Sequence, residues 1–143
     1  MWDGAIRPGS HSAGGLVLLS PTRSVLMVKG VQLHLLEDPM AVELIVLREA
    51  VLWCLANNLT SVQFEGDAKV IIDKINQGDI RDNRVGVILE EVVHYFRTHP
   101  EFRIRFIGRR SNRVAHLVAR KALSLYPTMS RFFDYQAWLE SRM

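Results

Sequence analysis

The sequence predicts an α/β fold: a mixed five-stranded sheet, with an antiparallel meander followed by two parallel strands, flanked by helices. Three observations predict it. Strand-like runs crowd before residue 34 with turn residues between them, the pattern of a meander. Two later runs, residues 61–67 and 102–107, alternate with period two, and each leads into a helical pattern, as strands joined by crossings do. With 143 residues and 48% apolar content, the chain has material for one sizeable core.

The first strand is short, on residues 1–5, and opens on Trp2-Asp3-Gly4. Residues 9–15, Gly-Ser-His-Ser-Ala-Gly-Gly, read as a turn before the apolar strand 16–19. A second turn, Ser-Pro-Thr-Arg-Ser at 20–24, precedes a third strand over 25–33.

A helix then starts clearly and runs to Asn57, with Asp38 as N-cap and Pro39 at the first helical position, where its missing N–H costs nothing. At about 100° per residue, Leu47, Ala50 and Cys54 fall within roughly 40° of Glu43. A carboxylate in an apolar stripe needs compensation, from a metal or another cation, because an unpaired buried charge is strongly unfavourable. The alternative is that Glu43 benefits from the helix N-terminus and reaches water past its neighbours.

The strand at 61–67 ends on Asp67 just before a helical pattern at 68–76, which places that acid at the C-terminal edge of the sheet, where ligands of open α/β sheets gather. Asp67 either binds there or simply caps the next helix. Residues 77–84 form a polar loop, and 85–97 an amphipathic helix. In the strand at 102–107, Phe102, Ile104 and Phe106 point one way, Arg103 and Arg105 the other. Ser111 or Asn112 caps the last helix, whose packing stripe is Val114, Ala115, Val118, Ala122 and Leu125. Asn112, His116 and Arg120 recur on the opposite side, making His116 a surface residue by pattern. The domain spans residues 1–125, and 126–143 form an aromatic tail that either docks or stays free.

Charge and cysteine usage narrow the function classes. Net charge is only +3, yet residues 102–125 hold seven basic residues and no acid, which suggests a polyanionic partner. Cys54 is the only cysteine, so there is no disulfide partner and no Cys-based zinc site; this fits an intracellular protein, nuclear or cytoplasmic. Apolar stretches break well short of a membrane span, and no signal-peptide pattern is present.

Four motifs in order, Asp3-Gly4-Ala5, Ala41-Val42-Glu43-Leu44, Glu65-Gly66-Asp67 and Arg109-Arg110-Ser111-Asn112-Arg113-Val114-Ala115-His116, resemble ribonuclease H of type 1, most closely its plant-type, reverse-transcriptase-associated group. The resemblance implies a metal-dependent endonuclease that hydrolyses the RNA strand of RNA–DNA hybrids. Asp3, Glu43 and Asp67 would hold Mg²⁺, with Mn²⁺ as the alternative, and Asp3 would bridge two ions. Clustered carboxylates stay ionised only around such a cation. Arg109, Arg110, Asn112 and Arg113 would bind phosphates of the duplex without sequence choice. Two departures bear on activity. His116 stands at the fourth metal position, normally an acid, and imidazole suits softer ions than Mg²⁺. The first strand begins only two residues before Asp3, which suggests a clipped strand and a ligand beside a mobile terminus. The loop at 77–84 is also too short for the basic handle of some bacterial members. Two other readings are a catalytically silent nucleic-acid-binding module and a protein-interaction domain built on Phe132, Phe133 and Trp138.

Overall fold

The predicted meander is present and longer than its turn-rich sequence suggested. A computed structural model describes residues 1–7, 9, 11–34, 38–82, 84–125 and 133–142. Strand β1 (Trp2–Arg7) pairs antiparallel with β2 (His11–Leu19), which pairs antiparallel with β3 (Val25–His34). Residues 11–15, expected in a turn, lie inside β2. Their small side chains serve packing: β2 is the middle strand, covered on both faces, and its glycines let a helix approach from each side. Asp3 is also better held than expected. It sits in a six-residue strand, opposite Gly15, and is 1% exposed.

Helix α1 (Pro39–Ala56) begins as its sequence dictates, with the Asp38 side chain accepting from the Met40 N–H at 3.0 Å. It packs on one face of the meander and shares a core with strand β4 (Val62–Gly66), helix α2 (Lys69–Gln77), helix α3 (Gly86–Thr98) and strand β5 (Phe102–Phe106). Helix α4 (Arg113–Ser124) covers the other face, and α5 (Tyr135–Glu140) packs against β3 with the Tyr135 ring on Gly30. Two hydrophobic clusters result, one on each face of β2: Leu16 joins Leu44, Leu47 and Phe64, whereas Ala13 and Val17 join Ala115, Val118 and Leu139. Gly15 marks the closest approach. A Cβ there would lie 2.6 Å from the Ala119 nitrogen and nearer still to the Ala115 carbonyl oxygen.

All five expected strands are present, with the expected antiparallel and parallel pairings. The five strands hydrogen-bond as a three-stranded antiparallel sheet and a separate parallel pair, β4 with β5. At the seam β1 lies against β4 through side chains: the Trp2 ring occupies the space a Cβ on Gly66 would take, 2.6 Å away. Glu65 on β4 adds a polar tie across the same seam. It accepts from Arg23, in the β2–β3 turn, at 3.1 Å and pairs with Arg105 on β5. Burial alone would raise its carboxyl pKa, but the bonds and charges of the two guanidiniums outweigh that and hold it below the usual range.

In the tail, residues 126–132, Phe132 included, fall outside the described residues. Phe133 and Trp138 are engaged within the chain, with the Lys121 ammonium 5.2 Å and 5.6 Å from their ring centres. Among the described residues, no helix is long and apolar enough to cross a membrane.

Candidate metal centre

Three elements deliver three acids to one place. Asp3 comes from the buried β1, Glu43 from the second turn of α1, and Asp67 from the residue that follows β4 and its Gly66. One carboxylate oxygen from each lies within 4.8 Å of the other two. Asp67 is not a helix cap: the N-cap position of α2 is Ala68, and no side chain bonds there. Glu43 does not escape to water either. The Gly4 N–H donates to its Oε1 at 3.1 Å and aims the carboxylate inward. Gly4 stood in the motif Asp3-Gly4-Ala5 with no role assigned to it. Its role is that a Cβ would come within 2.7 Å of Val42 Cγ1 and 3.2 Å of Glu43 Oε1.

The electrostatics favour a cation. Burial, and then the neighbouring Asp3, push the Glu43 carboxyl up to about 9 from its ordinary 4.5. Burial and Asp3 raise Asp67 as well, despite Arg109. Glu43 Oε2 and Asp67 Oδ2 are buried without a hydrogen-bond partner. Buried oxygen acceptors that repel one another and lack donors fit a hard divalent ion such as Mg²⁺, whose ligands are oxygens. Asp3, Glu43 and Asp67 are the residues that would hold it.

His116 reaches the cluster from α4 but touches one acid only, with Nδ1 2.8 Å from Asp3 Oδ2. It is half-buried, neither the surface residue its periodicity indicated nor part of the three-acid set. Asn112 departs further from expectation. It is fully buried and donates to the Trp2 carbonyl at 2.9 Å, fastening the start of α4 to β1. A side chain so placed cannot meet phosphate, and although Asn112 holds the expected N-cap position of α4, its side chain makes no capping bond. Periodicity misplaced it because the N-cap residue lies outside helical geometry.

Of the remaining basic residues, one lies beside the acids. Arg109 is exposed, with Nε 3.8 Å from Asp67 Oδ2. Arg110, Arg113 and Arg120 are exposed on the loop and the outer side of α4, whereas Lys121 and Arg105 have partners inside the chain. The loop itself is fixed: the N–H groups of Ser111 and Asn112 donate to the Gly108 carbonyl at 3.0 and 3.1 Å.

Comparison with known proteins bears on the family and the fold. A family model described as reverse transcriptase-like matches residues 2–122. Among solved structures, RNase H1 from the archaeon Halobacterium salinarum NRC-1 is 19% identical, with a TM-score of 0.73 over 86% of this chain and 94% of that one. LC11-RNase H1, isolated from compost and solved in complex with an RNA/DNA hybrid, is 16% identical, with a TM-score of 0.72 over 86% of this chain and 94% of that one. The PFV RNase H domain is 14% identical, with a TM-score of 0.67 over 85% of this chain and 90% of that one. At these identities the likeness is one of fold. No curated protein matches.

Proposed function

The chain belongs to the reverse transcriptase-like family and has the ribonuclease H-like fold, and from that premise we propose that it is a metal-dependent endonuclease acting on the RNA strand of RNA–DNA hybrids. The observation that carries this reading is the convergence of Asp3, Glu43 and Asp67 within 4.8 Å, with two of their oxygens buried and without donors. Asp3, Glu43 and Asp67 would hold Mg²⁺ or Mn²⁺, which would supply water activation and stabilisation of the leaving oxygen of a phosphodiester.

The chain's own residues supply the rest. Gly4 keeps Glu43 facing the other acids. Arg109 lies close enough to Asp67 to offset part of its charge while no cation is there. Arg110, Arg113 and Arg120 offer exposed charge to the phosphates flanking the cleft, which gives affinity without base choice. Discrimination of a hybrid from plain duplex DNA would rest on backbone shape and the RNA 2′-hydroxyl.

The test is cleavage of an end-labelled RNA–DNA hybrid during titration with Mg²⁺ and with Mn²⁺. Cut RNA and intact DNA are expected, with no cleavage in EDTA. Failure with both ions would contradict the nuclease reading, and tight hybrid binding without turnover would favour a silent binding module instead. The His116 contact that occupies one oxygen of Asp3 is the observation behind that second reading. Arg110→Ala is expected to weaken hybrid binding several-fold and lower the slope of log affinity against log salt by about 1. A filter-binding series at several salt concentrations measures both, and an unchanged slope would remove Arg110 from the interface.

A further inference from the structure

We propose that the outer edge of β5 is a docking site for an extended acidic peptide, which adds to the sheet as a further strand. The site lies apart from the acid cluster, and the proposal does not depend on the nuclease reading.

The backbone supplies the first part of the argument. Among the described residues β5 has one strand neighbour, β4, so its other edge is unpaired. Which groups face that edge follows from the ladder. The Ile107 N–H donates to the Gly66 carbonyl at 2.8 Å. Alternation along the parallel pair then turns the backbone of Arg103 and Arg105 toward β4, and that of Ile104 and Phe106 outward. The outward Ile104 carbonyl accepts one long bond, 3.4 Å, from the side chain of the exposed Asn76. Among the described residues nothing bonds to the Ile104 N–H or to the N–H and C=O of Phe106.

The side chains say what kind of strand fits. A groove of about 670 Å³ runs along this edge, between β5 and the C-terminal ends of α2 and α3. Arg97, Arg103 and Arg105 line it, and no acid does. Arg105 is paired with Glu65, yet its side chain is still 58% exposed. Arg97 and Arg103 are exposed, and no ion pair engages either of them among the described residues. On the other face of β5 the groove is apolar, with the half-buried Phe96 ring edge-on to Phe102. A strand laid beside β5 alternates its side chains between these two faces. Acids at every second position would meet Arg103 and Arg105, and apolar residues between them would meet Phe96. Backbone bonds give such a complex affinity, and the two unlike faces select the alternation. Three arginines would draw a nucleic-acid strand as well, but its backbone has no row of alternating donors and acceptors to match a strand edge.

Position separates the groove from the acids. It reaches Gln63, near the start of β4, whereas Asp67 follows the end of that strand, about 13 Å further along. A peptide on β5 therefore leaves the acid cluster open.

The test uses the full chain and two fluorescein-labelled octapeptides of one composition. One alternates glutamate with valine, and the other holds the two residues in separate blocks. Anisotropy titrations at low salt are expected to show the alternating peptide binding several-fold tighter. Arg97→Ala combined with Arg103→Ala should weaken it about tenfold, an effect that shrinks as salt is raised. Binding should slow hydrogen exchange at the Ile104 and Phe106 N–H groups and leave hybrid affinity unchanged. No binding, equal affinity for both peptides, or unaltered exchange at Ile104 would overturn the proposal. Displacement of the peptide by oligodeoxythymidylate, with the same dependence on Arg97 and Arg103, would also overturn it and make the groove a nucleic-acid site. The exchange measurement on the unsubstituted chain decides the matter even if the double variant fails to fold.

Discussion

Asp67→Asn is expected to abolish hybrid cleavage by about 10³-fold or more while leaving the metal-free fold intact and slightly more stable. A carboxamide cannot replace an anionic ligand, and about 4 kcal/mol of lost transition-state stabilisation is three decades in rate. The sign of the stability change follows from the neighbours. Burial, and then repulsion from the neighbouring Asp3, make the Asp67 charge costly. Removing one negative charge from the metal-free cluster relieves that repulsion, and losing the long contact to the exposed Arg109 costs little. A melting point raised by about 1–3 °C together with lost cleavage would fit. A lowered melting point would mean that Asp67 is a structural acid, and retained cleavage would place the chemistry elsewhere.

The second large effect lies on the opposite side of Asp3. Gly15→Ala is expected to destabilise the chain by about 3 kcal/mol, at the upper end for overpacking, because the atoms in the way are helix backbone and not a side chain that could turn aside. The melting point should fall by roughly 10 °C. Helix α4 would have to retreat, carrying Asn112 from the Trp2 carbonyl and His116 from Asp3. Activity measured well below the new melting point should therefore fall as well. Thermal and urea unfolding check the first effect. An unchanged midpoint would contradict the close packing of β2 and α4.

How much of this was legible in the sequence depended on whether the signal was local. Asp38-Pro39 announced α1 because a cap and a first-turn proline act within a few residues. Glu43 in its apolar stripe and Asp67 at a strand end were legible because helix and strand periods fix direction. The segment 11–15 was misread for the opposite reason. Glycine and serine favour turns locally, but here they are small because α1 and α4 both press on β2, which depends on partners far along the chain. Phe106 shows the same limit. Alternation gave it the same direction as the buried Phe102 and Ile104, yet at the end of β5 it is 44% exposed, with the Lys69 ammonium 5.9 Å from its ring centre. The bond from His116 to Asp3 and the buried tie from Asn112 to Trp2 join residues more than a hundred positions apart, and no period connects them.

The melting point of the chain against pH, with and without Mg²⁺, tests most directly whether the three acids form a cation site. Glu43 has its pKa raised on folding, from 4.5 to about 9, so its contribution to metal-free stability is fully present below about 4.5 and is lost as pH rises through about 9. The metal-free melting point should therefore fall across that window. Mg²⁺ at about 100 times its dissociation constant should add about 2.7 kcal/mol, or roughly 5–10 °C, at pH 8, where the acids can ionise. The gain should shrink toward pH 5 and vanish in Glu43→Gln. A melting point unmoved by Mg²⁺ and Mn²⁺ at pH 8, or moved equally in Glu43→Gln, would contradict the account.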